Sequence, residues 1–410
     1  MFGHVTRLEC SVCGAQYAPG LIYLCEKCGG NLNAVYDVQK SFGPAAGYWR
    51  YLPMLPLPQD KVPDTCLPVG GTPLIQTDKL AAEYGLSAGD LYVKDESRNP
   101  SGSLKDRASF LLVEMARAHK IPSVITASTG NAGCALACCC APTSVAATIL
   151  VPKAAPAGKI AQLLAFGAKV MLVDGCYDDA FALCSEVAKK RGLFNRNTGM
   201  NPFTSEGKKT VSFEVFEQLG TCPDAVFVSV GDGNIITGVY KGFKNLLDMG
   251  KIDHMPRLMG CQSAKSNFFC VVDREIQEKG IKDHKEVAEF VHKHAPLAAA
   301  DTRADSIAAE LPSDRVNAYF AVKSTGGAFV EVTDEEILAE IPVVSRNSGV
   351  FPEPAAACAF AGLRKVAPEL RGKRVVVIST GTCLKDVRAL DGQGLRGIEV
   401  KTVADVEAAL

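Results

Sequence analysis

The sequence predicts an α/β fold with two doubly wound domains and a small cysteine-rich unit at the N-terminus. Two observations predict it. From Leu74 onward, short unbroken apolar runs alternate with longer amphipathic segments, which is typical of parallel strands buried under helices. Before that point, four cysteines stand in two Cys-x-x-Cys pairs, which indicates a metal-binding ribbon.

Composition narrows the class of protein. The chain has 410 residues, with 44 basic and 45 acidic side chains and 47% hydrophobic residues. This length suits two or three domains with large cores. A charge balance near zero gives no clustered excess of lysine and arginine of the kind that binds a nucleic-acid backbone. We therefore expect a globular protein that does not bind nucleic acid.

One stretch has the length of a membrane span. Residues 132–151 carry no charge, but Pro142, Thr143 and Ser144 interrupt them, so we predict a buried helix, a turn and a buried strand. Residues 1–9 have neither the apolar core nor the cleavage site of a secretory signal. We expect a soluble, cytoplasmic protein with reduced thiols and no membrane segment.

The N-terminal cysteines are the candidate metal ligands: Cys10, Cys13, Cys25 and Cys28. A glycine follows each pair, and eleven residues separate the pairs. Four thiolates in this arrangement suit tetrahedral Zn²⁺, with iron as the less favoured occupant. We predict a zinc ribbon over residues 1–40, and a structural one, because four cysteine ligands leave no open position for water. Four unrelated free thiols are the alternative, and the other twelve cysteines suit packing.

A proline-rich segment, residues 41–73, follows the ribbon. Its prolines favour an extended backbone, and the aromatic residues Tyr48, Trp49 and Tyr51 are expected to pin it to a surface. We predict an arm or linker here.

The apolar runs predict eight strands buried on both faces. They are residues 91–94, 124–127, 146–151, 170–173, 225–230, 258–261, 329–332 and 375–379. Intervening segments such as 179–191 and 210–219 are typical of amphipathic helices. We predict an N-terminal α/β part at residues 74–205 and a C-terminal α/β part at residues 206–410.

Four turns at the ends of predicted strands are the candidate sites of chemistry. In the first, residues 99–107, a Pro/Gly/Ser turn leads to Lys105 at the start of a helix. The positive field at a helix N-terminus favours the neutral amine of a lysine, and a neutral amine can form an imine with an aldehyde cofactor. A solvated surface lysine is the alternative interpretation.

The second turn contains Ser128, Thr129, Gly130 and Asn131. It follows a predicted strand and opens a helix of small residues. Small side chains let a carboxylate approach backbone N–H groups, and Asn131 can donate a hydrogen bond to a ring oxygen. Taken alone, this could be an ordinary glycine turn.

The third turn contains Gly231, Asp232, Gly233, Asn234 and Ile235. Backbone amides converge at such a turn and suit a phosphate, although the spacing is neither that of a P-loop nor that of the dinucleotide fingerprint. A lone glycine loop is a weak signal.

The fourth turn begins at Thr380, whose hydroxyl can meet the nitrogen of a heterocycle. The carboxyl ends of parallel strands meet at one edge of a sheet, so the four turns indicate a single crevice.

Together these elements resemble the fold-type II pyridoxal-phosphate enzymes, the group of the tryptophan synthase β chain, and most closely the threonine synthase family. The resemblance extends from the ribbon to about residue 390 and includes Gly-Gly-Thr-Pro-Leu at residues 70–74. It implies pyridoxal 5'-phosphate as the cofactor, with Lys105 as the Schiff-base lysine and proton shuttle. It also implies a homodimer.

The resemblance assigns the other turns as well. It implies that Asn131 bonds the phenolic oxygen of the cofactor and that Thr380 faces its pyridine nitrogen. The phosphate of the cofactor would lie on the turn from Gly231 to Ile235. The substrate carboxylate would be held by the second turn, at Ser128, Thr129 and Gly130.

The substrate follows from a further motif. Threonine synthases convert O-phosphohomoserine and water to threonine and phosphate, and many carry Asn-Pro-x-Arg-x-Glu-Gly-x-Lys-Thr. Residues 201–210 of this chain read Asn-Pro-Phe-Thr-Ser-Glu-Gly-Lys-Lys-Thr. Thr204 thus replaces the arginine that grips the substrate phosphate, and Lys208 could restore a point charge. The resemblance implies a threonine synthase, a carbon–oxygen lyase, with Thr204 and Lys208 as substrate contacts.

Two alternatives remain open from the sequence. One is a related enzyme that performs β-elimination or β-replacement on another hydroxy- or phospho-amino acid, such as serine, threonine or phosphoserine. The other is a non-enzyme that keeps a vestigial cofactor fold, against which the intact Lys105 argues.

Overall fold

The computed structural model describes residues 2–65, 67–155 and 157–410, and it contains thirteen strands. They are β1 Val5–Cys10, β2 Gln16–Tyr17, β3 Leu32–Tyr36, β4 Leu74–Gln76, β5 Leu91–Asp95, β6 Ser123–Ala127, β7 Ala146–Pro152, β8 Lys169–Val173, β9 Phe194–Asn195, β10 Ala225–Ser229, β11 Arg257–Ser263, β12 Phe329–Val332 and β13 Val375–Ser379. All eight strands predicted from the sequence are present among them.

The helices follow the strands in the alternating order of an α/β protein. They are α1 Asp78–Glu83, α2 Lys105–Ala118, α3 Asn131–Cys140, α4 Ala157–Ala165, α5 Tyr177–Arg191, α6 Phe203–Lys208, α7 Thr210–Leu219, α8 Asn234–Asp248, α9 Phe268–Lys279, α10 His284–Lys293, α11 Arg315–Lys323, α12 Asp334–Ser348, α13 Pro354–Val366 and α14 Val403–Ala409. Short 3₁₀ turns connect several of them, and no helix of the described residues is long and apolar enough to cross a membrane.

The N-terminal unit is an antiparallel three-stranded sheet in the order β2-β1-β3. In each Cys-x-x-Cys pair, the glycine after the second cysteine donates its backbone N–H to the carbonyl of the first, from Gly14 to Cys10 and from Gly29 to Cys25. Both glycines have φ near 70°, in the left-handed region, which is the conformation that this tight turn requires. The cysteine pairs therefore form two turns of the ribbon type.

A four-stranded parallel sheet, in the order β8-β7-β6-β9, forms the smaller α/β unit. Its outer strand β8 exposes Met171 and Leu172, at 40% and 56% of their surface. The prediction that all eight strands are buried on both faces is therefore wrong for β8, because it lies at the edge of the sheet. In contrast, α3 and β7, the uncharged stretch, form the predicted helix and strand.

The larger sheet has six strands in the order β12-β11-β10-β13-β5-β4, and only β4 runs antiparallel. Strand β5 pairs in parallel with β13, so that Leu91 lies beside Val375 and Asp95 beside Ser379. The strands at residues 74–95 thus share a sheet with the C-terminal half of the chain, and the smaller unit is inserted between β5 and β10. A crevice between the two sheets results from this arrangement.

The proline-rich segment packs against the α/β body. Gly47–Met54 forms a 3₁₀ helix rather than the extended backbone expected from its prolines, so that expectation is wrong for this stretch. Tyr48 and Trp49 are buried against the ring of Phe110 in α2, with ring centroids 5.3 and 4.9 Å away. Burial of large aromatic rings favours a compact turn here over an extended one.

Candidate active site

Lys105 is the first residue of α2 and lies at the crevice. The turn before it is joined to the turn after β13, because the N–H of Leu104 donates to the carbonyl of Thr380 at 2.9 Å. The N–H of Thr382 donates in turn to the carbonyl of Gly102 at 3.2 Å. These two bonds fix the first and the fourth of the predicted turns against each other.

A buried ion cluster holds the next turn of α2 in place. The guanidinium of Arg107 binds both oxygens of Glu96 and both oxygens of Glu214, at 2.7 to 2.8 Å. Lys94 at the end of β5 also binds Glu214, at 2.7 Å. All four side chains are almost fully buried, so the orientation of α2, and with it the position of Lys105, is set by a paired and desolvated cluster.

The amine of Lys105 faces the glycine turn that opens α8. Its Nζ lies 3.9 Å from Oδ2 of Asp232. The small cavity between them is lined by side chains and backbone of β10, α8 and the loop before α11, including Ser229, Gly231, Asp232, Gly233, Ile235, Ser306 and Ile307. The first and third predicted turns therefore meet in one cavity.

Only glycine fits at two positions of this turn. Gly233 has φ 87°, and a Cβ on it would lie 2.7 Å from Cβ of Ala318. A Cβ on Gly231 would lie 2.6 Å from the backbone of Ile307. The turn thus keeps its backbone free of side chains at the N-terminus of α8, where the helix dipole favours an anion. The N–H of Asn234 already donates to Oδ1 of Asp232 at 2.9 Å.

Lys208 contributes a second ammonium group next to this turn. Its Nζ donates to Oδ1 of Asn234 at 2.6 Å, and the residue is fully buried. Burial, together with the charge of Lys105, holds the pKa of Lys208 well below its ordinary value. Burial alone would raise the pKa of Asp232, but Lys105 and Lys208 outweigh it and lower that pKa.

Asn131 lies at the first position of α3, on the smaller unit. Its Nδ2 donates to both carboxylate oxygens of Glu353, at 2.8 and 3.0 Å, and its Oδ1 accepts from Nζ of Lys385 at 3.0 Å. Glu353 is buried, which raises its pKa. These two partners were not assigned to Asn131 from the sequence, although both stand in turns at the same edge of the larger sheet.

The second predicted turn opens toward free space. A Cβ on Gly130 would meet no atom within 4 Å, and the N–H of Gly130 donates to Oγ of Ser128 at 3.2 Å. Thr129 is half-buried beside them. The turn at residues 128–130 thus has room for a small ligand group at the N-terminus of α3.

Thr204 lies on α6, the same helix that carries Lys208. It is fully buried in α6, and its hydroxyl donates to the backbone carbonyl of Asn201 at 2.7 Å. The hydroxyl is therefore bonded to the backbone just before its helix. Lys208, one turn further along, contacts the glycine turn instead.

The residues at this edge fit pyridoxal phosphate. A lysine amine, a bare helix N-terminus suited to phosphate and an asparagine amide converge on the crevice, and Thr380 follows β13 beside them. In addition, Oγ of Ser103 is buried two residues before Lys105 and has no hydrogen-bond partner among the described residues. An unpaired buried hydroxyl indicates room for a polar ligand atom.

The four cysteines of the N-terminal unit form a single cluster. The sulfurs of Cys10, Cys13, Cys25 and Cys28 all lie within 4.8 Å of one another. Four sulfur donors at this separation suit one tetrahedral metal ion. The cluster is the metal-site candidate found within the described residues.

A line of side-chain hydrogen bonds connects the ribbon with the crevice. Asn33, in β3, donates to Oδ1 of Asn317 at 2.7 Å, and Asn317 donates to Asp314 at 2.7 Å. Asp314 also accepts from Nδ2 of Asn234 at 2.8 Å, and Asn234 accepts from Lys208. The ribbon is thus in contact, through α11, with the turn that opens α8.

Comparison with known proteins agrees with this geometry. Residues 65–381 match the family profile described as pyridoxal-phosphate dependent enzyme. Threonine synthase of Methanosarcina acetivorans is 36% identical over 93% of this chain and 92% of its own length. Threonine synthase of Methanocaldococcus jannaschii is 36% identical over 92% of each chain.

Solved structures agree on the fold. Threonine deaminase isoform 2 of Solanum lycopersicum has a TM-score of 0.66 at 24% identity, covering 79% of this chain and 88% of its own. Maize serine racemase has a TM-score of 0.63 at 19% identity, covering 79% and 94%.

Fold, crevice and family profile together define a pyridoxal-phosphate dependent enzyme of fold-type II, and its threonine synthase relatives identify it as a lyase. Within this class the chain belongs to the threonine synthase family.

Proposed function

We propose that this chain converts O-phospho-L-homoserine and water to L-threonine and phosphate. The observation that carries the proposal is the position of Lys105, whose amine faces a bare helix N-terminus across one cavity. This arrangement occurs in a chain that is 36% identical, over almost its whole length, to two threonine synthases.

Pyridoxal phosphate, when bound, supplies an electron sink for carbanion chemistry at the α- and β-carbons of an amino acid. The backbone amides of residues 231–235 would hold its phosphate, and the hydroxyl of Thr380 would face its ring nitrogen. Lys105 would bind the cofactor through Nζ and move protons at the same atom. The turn at residues 128–130 would orient the substrate carboxylate.

We assign the phosphate of the substrate to Lys208. Thr204 offers no charge, and its hydroxyl is bonded to the carbonyl of Asn201. Lys208 is a buried amine next to the turn expected to hold the cofactor phosphate, and a substrate phosphate beside it would favour its protonated form. An ammonium group binds phosphate as a point charge, without the two parallel hydrogen bonds of an arginine.

A second candidate activity follows from the presence of Thr204 where many threonine synthases carry an arginine. A site without the arginine fork is less specialised for a phosphate at the end of a four-carbon chain. β-Elimination or β-replacement on a shorter amino acid, such as phosphoserine, serine or threonine, remains the competing assignment. The chemistry at Lys105 would be common to both activities.

The decisive experiment compares substrates. Purified enzyme loaded with pyridoxal phosphate is mixed with O-phosphohomoserine, O-phosphoserine, serine or threonine, with and without a panel of small nucleophiles. Phosphate, ammonia and amino-acid products are measured. Threonine and phosphate formed in equal amounts from O-phosphohomoserine support the proposal. Phosphate release from O-phosphoserine alone, or ammonia from serine or threonine alone, would replace it with the second candidate.

The proposal extends to the ribbon and to assembly. Four clustered thiols suit one structural Zn²⁺, which elemental analysis of the purified protein would detect at one equivalent per chain. A homodimer is the state expected from the family resemblance. Sedimentation of the loaded enzyme tests it, and a monomer would contradict it.

A further inference from the structure

Asn131 is connected to two ionisable residues of the opposite unit. Asn131 begins α3 next to the smaller sheet, whereas Glu353 precedes α13 and Lys385 lies in the turn after β13 of the larger sheet. The bonds from Nδ2 to Glu353 and from Lys385 to Oδ1 therefore bridge the crevice. Glu353 does not cap its own helix, so its side chain is engaged with Asn131 instead.

The two partners fix the orientation of the amide group. A carboxylate accepts hydrogen bonds, and an ammonium group only donates them. If the amide were turned by 180°, its oxygen would face the carboxylate of Glu353 and its NH₂ group would face the ammonium of Lys385. Both contacts would be repulsive. The two oxygens of one carboxylate lie too close together to receive two separate hydrogens of the same NH₂ group, so one hydrogen is shared between them. The second hydrogen of the amide nitrogen then remains available to the crevice.

The backbone keeps Glu353 in place. The N–H of Glu353 donates to the carbonyl of Gly381 at 3.0 Å, and a Cβ on Gly381 would lie 2.5 Å from Oε1 of Glu353. Glycine at this position thus leaves the room that the carboxylate occupies. In the same turn, the carbonyl of Thr380 accepts the N–H of Leu104, so this turn also aligns Lys105.

We propose that Glu353 and Lys385 are positioning residues that set the amide of Asn131, and that they direct its second N–H hydrogen to the phenolic oxygen of pyridoxal phosphate. This inference rests on the assignment of Asn131 to the cofactor ring within the proposed function. Glu353 and Lys385 act through Asn131 and by themselves need touch neither cofactor nor substrate.

The test is a double-mutant cycle on the loaded enzyme, read by the absorption spectrum of the bound cofactor and by its dissociation constant. The variants are Glu353→Gln, Lys385→Met and Asn131→Ala, together with the double variants Asn131→Ala/Glu353→Gln and Asn131→Ala/Lys385→Met. The side chain of glutamine can both donate and accept a hydrogen bond, so that Glu353→Gln can pair with the amide of Asn131 in either orientation and no longer fixes it. We expect each single variant to shift the absorption maximum in the same direction and to weaken cofactor binding about tenfold.

Non-additivity is the expected signature, because a residue that acts only through Asn131 has no effect once Asn131 is alanine. Fully additive shifts, or an unchanged spectrum in Glu353→Gln, would overturn the proposal. Lys385→Arg keeps a donor and a charge and should restore the spectrum, which gives a second test if Glu353→Gln does not fold. Glu369→Gln, at an exposed position after α13, is the matched control.

The readouts separate this inference from the proposed activity. Neither absorption nor cofactor affinity requires an amino-acid substrate. An enzyme that shows the expected non-additivity but forms no threonine would contradict the proposed substrate and leave the role of Glu353 and Lys385 intact. Threonine formation with additive spectral shifts would support the proposed substrate and contradict the role of Glu353 and Lys385.

Discussion

Lys208 and Asn234 form a hydrogen bond of 2.6 Å between an ammonium group and an amide oxygen, and both residues are buried. A charged group in this position is costly unless a ligand of opposite charge is present, and burial lowers its pKa accordingly. The bond thus couples a residue of α6 to the turn that opens α8, at the place where two phosphates are expected.

The first prediction concerns this lysine. Replacement of Lys208 by methionine keeps its length but removes the charge, so we expect KM for O-phosphohomoserine to rise at least tenfold. Stability should change little, because the cost of burying the amine is removed while Oδ1 of buried Asn234 loses its donor. Steady-state kinetics and thermal unfolding measure the two effects. Lys282→Met, at an exposed position, is the control, and an unchanged KM in Lys208→Met would contradict the assignment.

The second prediction concerns Lys105. Lys105→Ala should lose the visible absorption band of the lysine-bound cofactor and at least a thousandfold in turnover, since we assign both the bond to the cofactor and the proton transfer to this residue. Spectra and product assays of the purified variant check both. Lys79→Ala, on the exposed face of α1, should keep the band. Persistence of the band in Lys105→Ala would show that another amine binds the cofactor.

The third prediction concerns the ribbon. Cys10→Ser, or chelation of the metal, should lower the melting temperature and release zinc, with a smaller effect on kcat of the protein that remains folded. Loss of one thiolate removes a ligand that the tetrahedral site needs. Cys270→Ser, outside the cluster, should retain the metal. Lost turnover at unchanged stability would speak against a structural role.

The fourth prediction concerns a close helix contact beneath the crevice. A Cβ on Gly207 would lie 2.3 Å from the carbonyl oxygen of Arg107 and 2.8 Å from Cα of Ala108, so Gly207→Ala must displace α6 from α2. We expect a loss of about 1–3 kcal/mol in the free energy of unfolding. Gly158→Ala, in α4, has nothing within 4 Å of the new Cβ and should be neutral or stabilising. Denaturant unfolding of both variants is the measurement.

The fifth prediction concerns acid stability. Burial alone would raise the pKa of Glu206, but the ammonium groups of Lys209 and Lys241, at 2.6 and 2.8 Å, outweigh it and lower that pKa to about 2. Because the pKa is lower in the folded state than its ordinary value of 4.5, Glu206 stabilises the fold above pH 4.5 and loses this effect as the pH falls toward 2.

The free energies of unfolding of the wild type and of Glu206→Gln should therefore differ most near pH 6 and become similar in acid. The difference above pH 4.5 should be on the order of 3 kcal/mol. Glu26→Gln, in the exposed part of the ribbon, should parallel the wild type. A constant difference between wild type and Glu206→Gln across this pH range would refute the prediction.

The strands could be predicted because each is a short, continuous apolar run in the sequence. The apolar runs at β5 and β13 identify buried strands, but nothing in the two runs says that they are neighbours, because pairing depends on contacts between distant parts of the chain. For the same reason, the exposed edge strand β8 could not be told from a central strand. The 3₁₀ helix at Gly47–Met54 was missed because its aromatic rings are buried by α2, which no local pattern reveals.

At the site, the sequence placed backbone features better than side-chain partners. Lys105 and Gly231 to Ile235 lie at helix N-termini, where motif and local geometry coincide. Side-chain partners could not be predicted in this way. The hydroxyl of Thr204 donates to a nearby backbone carbonyl. The partners of Asn131, Glu353 and Lys385, come from distant elements. Such pairings need the tertiary structure.

The pairing of β5 with β13 also determines the order in which the molecule can be assembled during synthesis. The smaller sheet is complete once Asn195 has left the ribosome, so that it can fold early. Strand β5 can pair with β4 at once, but its second neighbour is missing until Val375–Ser379 emerges, and the turn that aligns Lys105 follows immediately after. Lys105 is thus synthesised early and positioned last, and a nascent chain that is truncated before β13 contains Lys105 without the turn that aligns it.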